Sequence, residues 1–347
     1  VRSMKAVVFH EYGDIDVLRY EDIETPKLGP RDVLVKVRAT ALNYYDVMTR
    51  AGTYRPNERL PHILGGDIAG DVAEVGSEVT HLKPQDPVVV YAALGCGHCE
   101  QCLVGEPNCC VDYRYVGAHV WGGYAQYVKV PEENLVPLYQ GMSYEAAAAC
   151  NITFLTSWHM LVTRANLRSG EDLLVLSAAS GIGVAAVQIG RLMGCRVIAC
   201  VGSDDKFSRL RELGADVLIN YRTDDFYQEV MKVTGKRGVD VVFENTGTET
   251  WDRAVRSLTR MGRLVTCGGT SGYQVTTDVN YIFHKQLSII GSNHGTKREL
   301  QTLVKLLEAG KLRPVVDRVL PLTEAQEGHR ILEGRKVFGK VVLVPEH

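Results

Sequence analysis

Cys96, Cys99, Cys102 and Cys110 follow C-x2-C-x2-C-x7-C, a spacing at which four thiolates can close a tetrahedral shell around Zn2+. Such a shell leaves no position open for substrate, so the spacing predicts one structural zinc per chain. Cys109 falls one residue out of register and reads as a non-ligand. A second stretch with chemical content is Leu173 to Ala186, LLVLSAASGIGVAA, where an apolar run breaks into small residues and then resumes with helical spacing. It reads as a strand, a tight turn and the start of a helix. In that arrangement the backbone N–H groups and the helix N-terminus can hold a pyrophosphate. The G-x-G-x-x-G fingerprint is kept only in part: its places fall on Ala178, Ser180 and Gly183, with Gly181 between. Ser180, Gly181, Ile182 and Gly183 are the candidate phosphate contacts.

The elements that must position this turn follow it. CRVIACVG (195–202), VLIN (217–220), VDVVFEN (239–245), GRLVTCGG (262–269) and LSIIGSN (287–293) are short Val/Ile/Leu runs. Helical patterns at 203–216 and from about 249 to 260 separate them. Such alternation predicts a doubly wound parallel sheet with both faces covered. Asn245, Gly268, Ser292 and Asn293 fall at carboxyl ends of these strands, where cofactors rest in open α/β sheets. After the second strand, CVGSDDK has no acid at the place that would bind a ribose diol: Gly202 leaves room for a 2′-phosphate, Ser203 can hydrogen-bond it and Lys206 can neutralise it. NADP(H) is therefore the expected cofactor, with Arg209 and Arg222 as further possible contacts. Residues 1 to about 150 carry alternating strand patterns with Pro and Gly punctuation, which predicts a compact barrel-like β domain.

The bounds are those of a soluble enzyme. The 347 residues allow two domains, and a net charge of −2 with 45% hydrophobic and 23% charged residues gives no sign of a nucleic-acid or membrane partner. No apolar run approaches the roughly 18 residues of a membrane span. VRSMKAVVFH enters a strand pattern at once, so a cytoplasmic location is expected. Five of the nine cysteines lie between Cys96 and Cys110, which speaks for metal and against disulfides. Cys150, Cys195, Cys200 and Cys267 sit in apolar segments and read as inert thiols.

With GGDIAGDVAEVG (65–76), the four-cysteine lobe, GGYAQY (122–127), LTSWHML (155–161), the dinucleotide turn and FGKVVL (338–343), the chain resembles the medium-chain dehydrogenases/reductases over essentially its whole length. That family includes zinc alcohol dehydrogenases and quinone or enoyl reductases. The resemblance implies an α/β architecture of a GroES-like catalytic domain (1–153, with a return over 293–347) and a Rossmann NADP-binding domain (154–292). Substrate is expected in the cleft. It also implies a homodimer or homotetramer, with the strand near 280–292 at the subunit contact. Thr156 matches a threonine facing the nicotinamide, and Gly339 and Lys340 match a Gly-Lys pair that nears the cofactor. Lys206 and Tyr221 have the separation of the lysine and tyrosine in NADPH-dependent quinone reductases.

The resemblance fails at the family's second, catalytic zinc. Asn43 replaces the cysteine ligand, Gly66 the histidine, and Ile152 falls where the third ligand would be; Tyr45 takes the hydroxyl-bearing place beside the first. His62, His119, His159 and Asp67 could in principle form a different site. Without a metal to make an alkoxide, alcohols are poor substrates, whereas reducing a double bond conjugated to a carbonyl needs only donors to an enolate oxygen. Asn43, Tyr44 and Tyr45 could supply them. Tyr54 occupies the place of the tyrosine regarded as proton donor in enoyl-thioester reductases. The expected function is NADPH-dependent reduction of a quinone or an activated enone or enoyl substrate. The alternatives are a zinc-dependent alcohol dehydrogenase or carbonyl reductase, and a crystallin-like NADPH-binding protein without turnover.

Overall fold

The computed structural model describes residues 3–53, 60–139 and 141–347; Tyr54 lies outside them. The chain forms two compact units, residues 1–152 with 296–347 and residues 153–295.

In the second unit six parallel strands stand in the order Val217–Asn220, Arg196–Val201, Asp172–Val175, Val239–Glu244, Leu258–Thr266 and Ser288–Gly291. By appearance in the chain this is 3-2-1-4-5-6, the doubly wound order that reverses between the first and fourth strands. Leu174, Ile198, Val242 and Leu264 from the strands pack with Phe226, Val230, Trp251 and Ala254 from the helices. Burial on both faces explains why these strands read as continuous apolar runs. The fifth strand begins at Leu258, four residues before the sequence pattern suggests. Leu258 joins the ladder opposite Val239, and a register shift with Met261 at φ 60° carries the chain on to Arg263. The expected helix from 249 to 260 is correspondingly short, Trp251–Arg256. The edge strand leaves Ile289 exposed, near exposed Val279 and Phe283.

The first unit is built on Asp32–Ala41, flanked by Asp67–Val75, Lys340–Val344 and Tyr127–Pro131. Val33, Val35 and Val37 alternate into one core with Val72, Val88 and Val90. The register matters most at one end, where Ala41 pairs with Asp67 on one side and with Val342 on the other. Asp67 and Lys340, distant in sequence, therefore begin the strands on either side of Asp32–Ala41, and Asn43 follows two residues beyond its end. A three-stranded sheet, Arg19–Glu24, Ser3–Phe9 and His62–Ile63, completes the unit. The helix Lys297–Glu308 starts at a capping box in which Thr296 and Glu299 satisfy each other's N–H groups.

Candidate active site and metal lobe

At the shared strand end of the first unit, Lys340 Nζ donates to Asn43 Oδ1 at 2.7 Å and to Asp67 Oδ2 at 2.8 Å. Asn43 Nδ2 donates to the same Asp67 oxygen at 2.9 Å, and Ile152 N donates to the other at 2.7 Å. Lys340 and Asp67 side chains are 4% and 0% exposed. Both Asp67 oxygens are satisfied, by Lys340 and Asn43 on one side and by Ile152 N on the other, as so buried a carboxylate requires. The Cys150 thiol faces the cluster and is pushed up by burial and by the Asp67 carboxylate, so it stays protonated.

Of the three positions where the resemblance expects catalytic-zinc ligands, one meets the ammonium and one meets its partner Asp67. Asn43 accepts from the ammonium, and Ile152 serves through its backbone N–H. Gly66 offers no side chain, and a Cβ there would stand 2.1 Å from Tyr45 Oη and 2.9 Å from Val116 O, so the tyrosine hydroxyl fills the volume. Among the described residues, His62, His119, His159 and Asp67 do not assemble into a metal-binding group; the four lobe cysteines do.

Tyr45 packs edge-on to Tyr115 with ring centroids 5.2 Å apart, and its hydroxyl is buried without a hydrogen-bond partner among the described residues. Burial and the nearby Asp46 carboxylate push this phenol well above its ordinary value. An unsatisfied buried hydroxyl costs about 1–3 kcal/mol. Tyr45→Phe should therefore raise the unfolding free energy by about 1 kcal/mol in denaturant titration. A loss of stability instead would mean that the hydroxyl is satisfied.

Asn43 offers less to a ligand than its sequence position suggests. One amide hydrogen goes to Asp67, and the second reaches Ala41 O only at 3.5 Å. Lys340, expected at the cofactor, has one of its three N–H donors left beyond Asn43 and Asp67. Asp46, inside the helix Tyr44–Arg50, is wholly buried; it accepts from Asn43 N at 2.8 Å and Gly65 N at 3.2 Å. Burial raises its carboxyl to about 7 against these donors and the Lys340 charge. Nothing in the motif spacing marks Asp46, or the Lys340–Asp67 pair, as a functional group.

In the lobe, the sulfur atoms of Cys96, Cys99, Cys102 and Cys110 all lie within 4.8 Å of one another. That separation fits four-coordinate zinc, whose bonds of about 2.3 Å to sulfur set thiolates about 3.8 Å apart. Cys99 N donates to Cys96 Sγ at 3.3 Å, and Cys96 N and Asp112 N donate to Cys110 Sγ at 3.2 and 3.3 Å. These N–H groups orient the sulfur atoms that would hold the ion. Cys109 lies outside the cluster and is exposed.

In the second unit the turn closes on the helix Gly181–Leu192. Its N-cap Ser180 spends its hydroxyl on Gly183 N at 3.1 Å, which leaves the first-turn N–H groups of Gly181 and Ile182 for an anion. A Cβ at Gly183 would meet Ser177 O at 2.3 Å, so only glycine lets helix and strand approach this closely. At the carboxyl edge of the sheet, Asn245 Oδ1 and Ser292 Oγ are buried with no partner among the described residues. Beside Asn245, buried Glu244 accepts from Thr246 N, Gly247 N and Thr250 Oγ1 at 2.7–2.8 Å and so shapes the loop. A Cβ at Gly268 would have only Asn245 O, 3.9 Å away, near it.

At the tip of the second strand the side chains of Tyr221 and Arg222 stand against Gly202. A Cβ at Gly202 would lie 2.7 Å from Tyr221 Oη and 3.3 Å from Arg222 Nε. Asp204 is turned to buried Asn220, whose amide donates to it at 2.8 Å. Ser203 makes no capping bond, and Lys206 is half-buried at the end of the 3-10 turn Asp204–Lys206. Orphaned acceptors, a bare helix N-terminus and a tip whose first carboxylate is engaged by Asn220 fit a dinucleotide. Thr156, on the helix Tyr144–Trp158, is buried.

A zinc-binding dehydrogenase model matches residues 181–309, and an alcohol dehydrogenase GroES-like domain model matches residues 29–140. A solved NAD-dependent alcohol dehydrogenase superposes with a TM-score of 0.95 at 45% identity, over 98% of this chain and 99% of that one. The acryloyl-coenzyme A reductase of Metallosphaera sedula is 32% identical over 98% of this chain and 99% of its own length. The quinone oxidoreductase of Pseudomonas aeruginosa is also 32% identical, over 98% and 99%.

Proposed function

Since the chain belongs to the medium-chain dehydrogenase/reductase superfamily and is an oxidoreductase, we propose that it reduces an activated enone, enoyl or quinone substrate with NADPH. The observation that carries this reading is the buried ammonium of Lys340 between Asn43 and Asp67. A unit positive charge repels another by about 4 kcal/mol at 4 Å and an effective dielectric of 20, and a divalent ion by twice that. The cluster supplies its own cation where a zinc alcohol dehydrogenase would need a metal. When bound, NADPH supplies the hydride. The chain's part is to stabilise the negative charge that develops on the substrate oxygen, and the remaining N–H of Lys340 is the donor suited to it. Asp67 holds that ammonium in place, and Asn43 fixes its direction.

Preference for NADPH is supported by the tip of the second strand, where the nearest carboxylate, Asp204, accepts from the Asn220 amide and Lys206 ends the same turn. Lys206→Ala should weaken NADPH binding about 10- to 100-fold, the range of a charge-assisted hydrogen bond, and leave NADH within twofold. Equal losses in fluorescence titration would refute the phosphate assignment. The 45% identity to an alcohol dehydrogenase favours a second reading, dehydrogenation of an alcohol. Assaying NADPH oxidation with enoyl thioesters and quinones against NADP+ reduction with alcohols decides between them. The exposed edge at Ile289, with Val279 and Phe283, supports pairing with a second copy of the chain.

A further inference from the structure

The fourth strand of the second unit, Val239–Glu244, ends on a carboxylate that is 0% exposed. Its Oε1 accepts from Thr246 N at 2.8 Å, Gly247 N at 2.7 Å and Thr250 Oγ1 at 2.8 Å, and its Oε2 accepts from Thr266 Oγ1 at 3.2 Å. All four donors are neutral. Backbone N–H groups can only donate, so this is the accepting set of a carboxylate. Among the described residues no cation is hydrogen-bonded to it. Its field is felt at the edge of the sheet, where burial and then the Glu244 charge push the Cys267 thiol up to about 12.

The strand order says which half of a dinucleotide this charge serves. Lys206 stands at the tip of the second strand, the bare helix N-terminus follows the first, and the order reverses between the first strand and the fourth. With the adenosine phosphate at the second strand and the pyrophosphate at the first, the nicotinamide end belongs over the fourth to sixth. There the orphaned Asn245 Oδ1 and Ser292 Oγ end the fourth and sixth strands. Neighbouring strands lie about 4.8 Å apart, so a ring resting across the ends of the fourth and fifth comes within about 12 Å of Glu244. Arg164, whose Nε donates to Gly291 O at 3.0 Å at the end of the sixth strand, is exposed, and solvent screens it far more than a buried charge.

We propose that Glu244 is a positioning residue for the cofactor with an electrostatic role: its buried charge favours the nicotinamide ring in its positive, oxidised form over the neutral, reduced form. The inference rests on the dinucleotide reading above and adds to it a means of driving hydride towards the substrate, since loss of hydride creates that positive charge. Only the ring differs in charge between the two forms. The phosphates are common to both and cancel in the ratio of affinities. At an effective dielectric of about 20, a unit charge about 12 Å away changes that ratio about tenfold. A carboxylate that merely shaped the loop would act on both forms alike.

The test measures dissociation constants of NADPH and NADP+ for the full chain, by NADPH fluorescence and its displacement, without substrate. In Glu244→Gln the new carbonyl can keep the bonds from Thr246, Gly247 and Thr250, while the amide donates to Thr266 Oγ1, whose proton turns to Gly268 O at 3.3 Å. The loop is kept and the charge is lost. The ratio of the NADP+ to the NADPH dissociation constant should rise about tenfold. Glu244→Met, which keeps neither charge nor acceptors, should weaken both forms and raise the ratio as far. A ratio within about twofold of wild type, with both forms weakened alike or not at all, would overturn the inference. Should Glu244→Gln not fold, Glu244→Met decides by the same ratio. In a wild type that prefers NADH, the ratio is read with NADH and NAD+. A wild type that binds neither pair would overturn the dinucleotide reading and this inference with it, whereas an unmoved ratio in variants that bind leaves that reading standing.

Discussion

Lys340→Met is expected to lower enoyl or quinone reduction by about 10²- to 10³-fold, the effect of removing a donor aimed at a developing oxyanion. It should also cost about 3–5 kcal/mol of stability, because Asp67, fully buried, is left as a carboxylate without its cation. The two effects separate in Lys340→Met/Asp67→Leu. With no buried charge remaining, most of the stability should return, while turnover stays low. Steady-state kinetics beside denaturant unfolding measures both. Turnover within threefold of wild type in the single variant would remove Lys340 from the chemistry. An unchanged unfolding free energy would mean that the ion pair contributes nothing.

Metal analysis of the purified chain should give close to one zinc, and Cys99→Ser should lose it while Cys109→Ser retains it. Zinc in isolated finger peptides binds with about 10–16 kcal/mol. If a third of that is felt by the whole first unit, at about 2–4 °C per kcal/mol, the unfolding midpoint of Cys99→Ser falls by about 10 °C. Cys99 is apt for this test because N–H groups of Cys102 and Val111 already draw its thiol down to about 6. Two zinc ions per chain would overturn the reductase reading and favour alcohol chemistry.

What the sequence makes legible is what is local in it. The four lobe cysteines span fifteen positions, Cys96 to Cys110, and their spacing alone implies the cluster that the fold assembles. The doubly wound sheet is equally readable, because a strand buried on both faces must be apolar at every position. The ends of its elements are less so. Leu258 enters the sheet through a register shift that no periodicity records. The Lys340–Asp67 pair joins residues 273 apart, and Arg50 meets His329 across 279. Only the antiparallel register on Asp32–Ala41 brings the first pair together. The resemblance implies a cofactor contact for Lys340, but that two of its N–H donors run to Asn43 and Asp67 is not legible in any spacing. The exchange between Gly66 and Tyr45 is visible as two substitutions, but that one fills the volume vacated by the other is a fact of packing.

The strand Lys340–Val344, which closes the sheet of the first unit, also sets an order of events during synthesis. A ribosome delivers the six strands of the second unit before the residue that completes the cluster on the first. Until position 340 has left the exit tunnel, Asp67 has no cation to accompany it into the core. The nascent first unit must therefore wait, open at that edge, while the second can already be finished. The cluster of Asn43, Asp67 and Lys340 is complete only once residue 340 has been made.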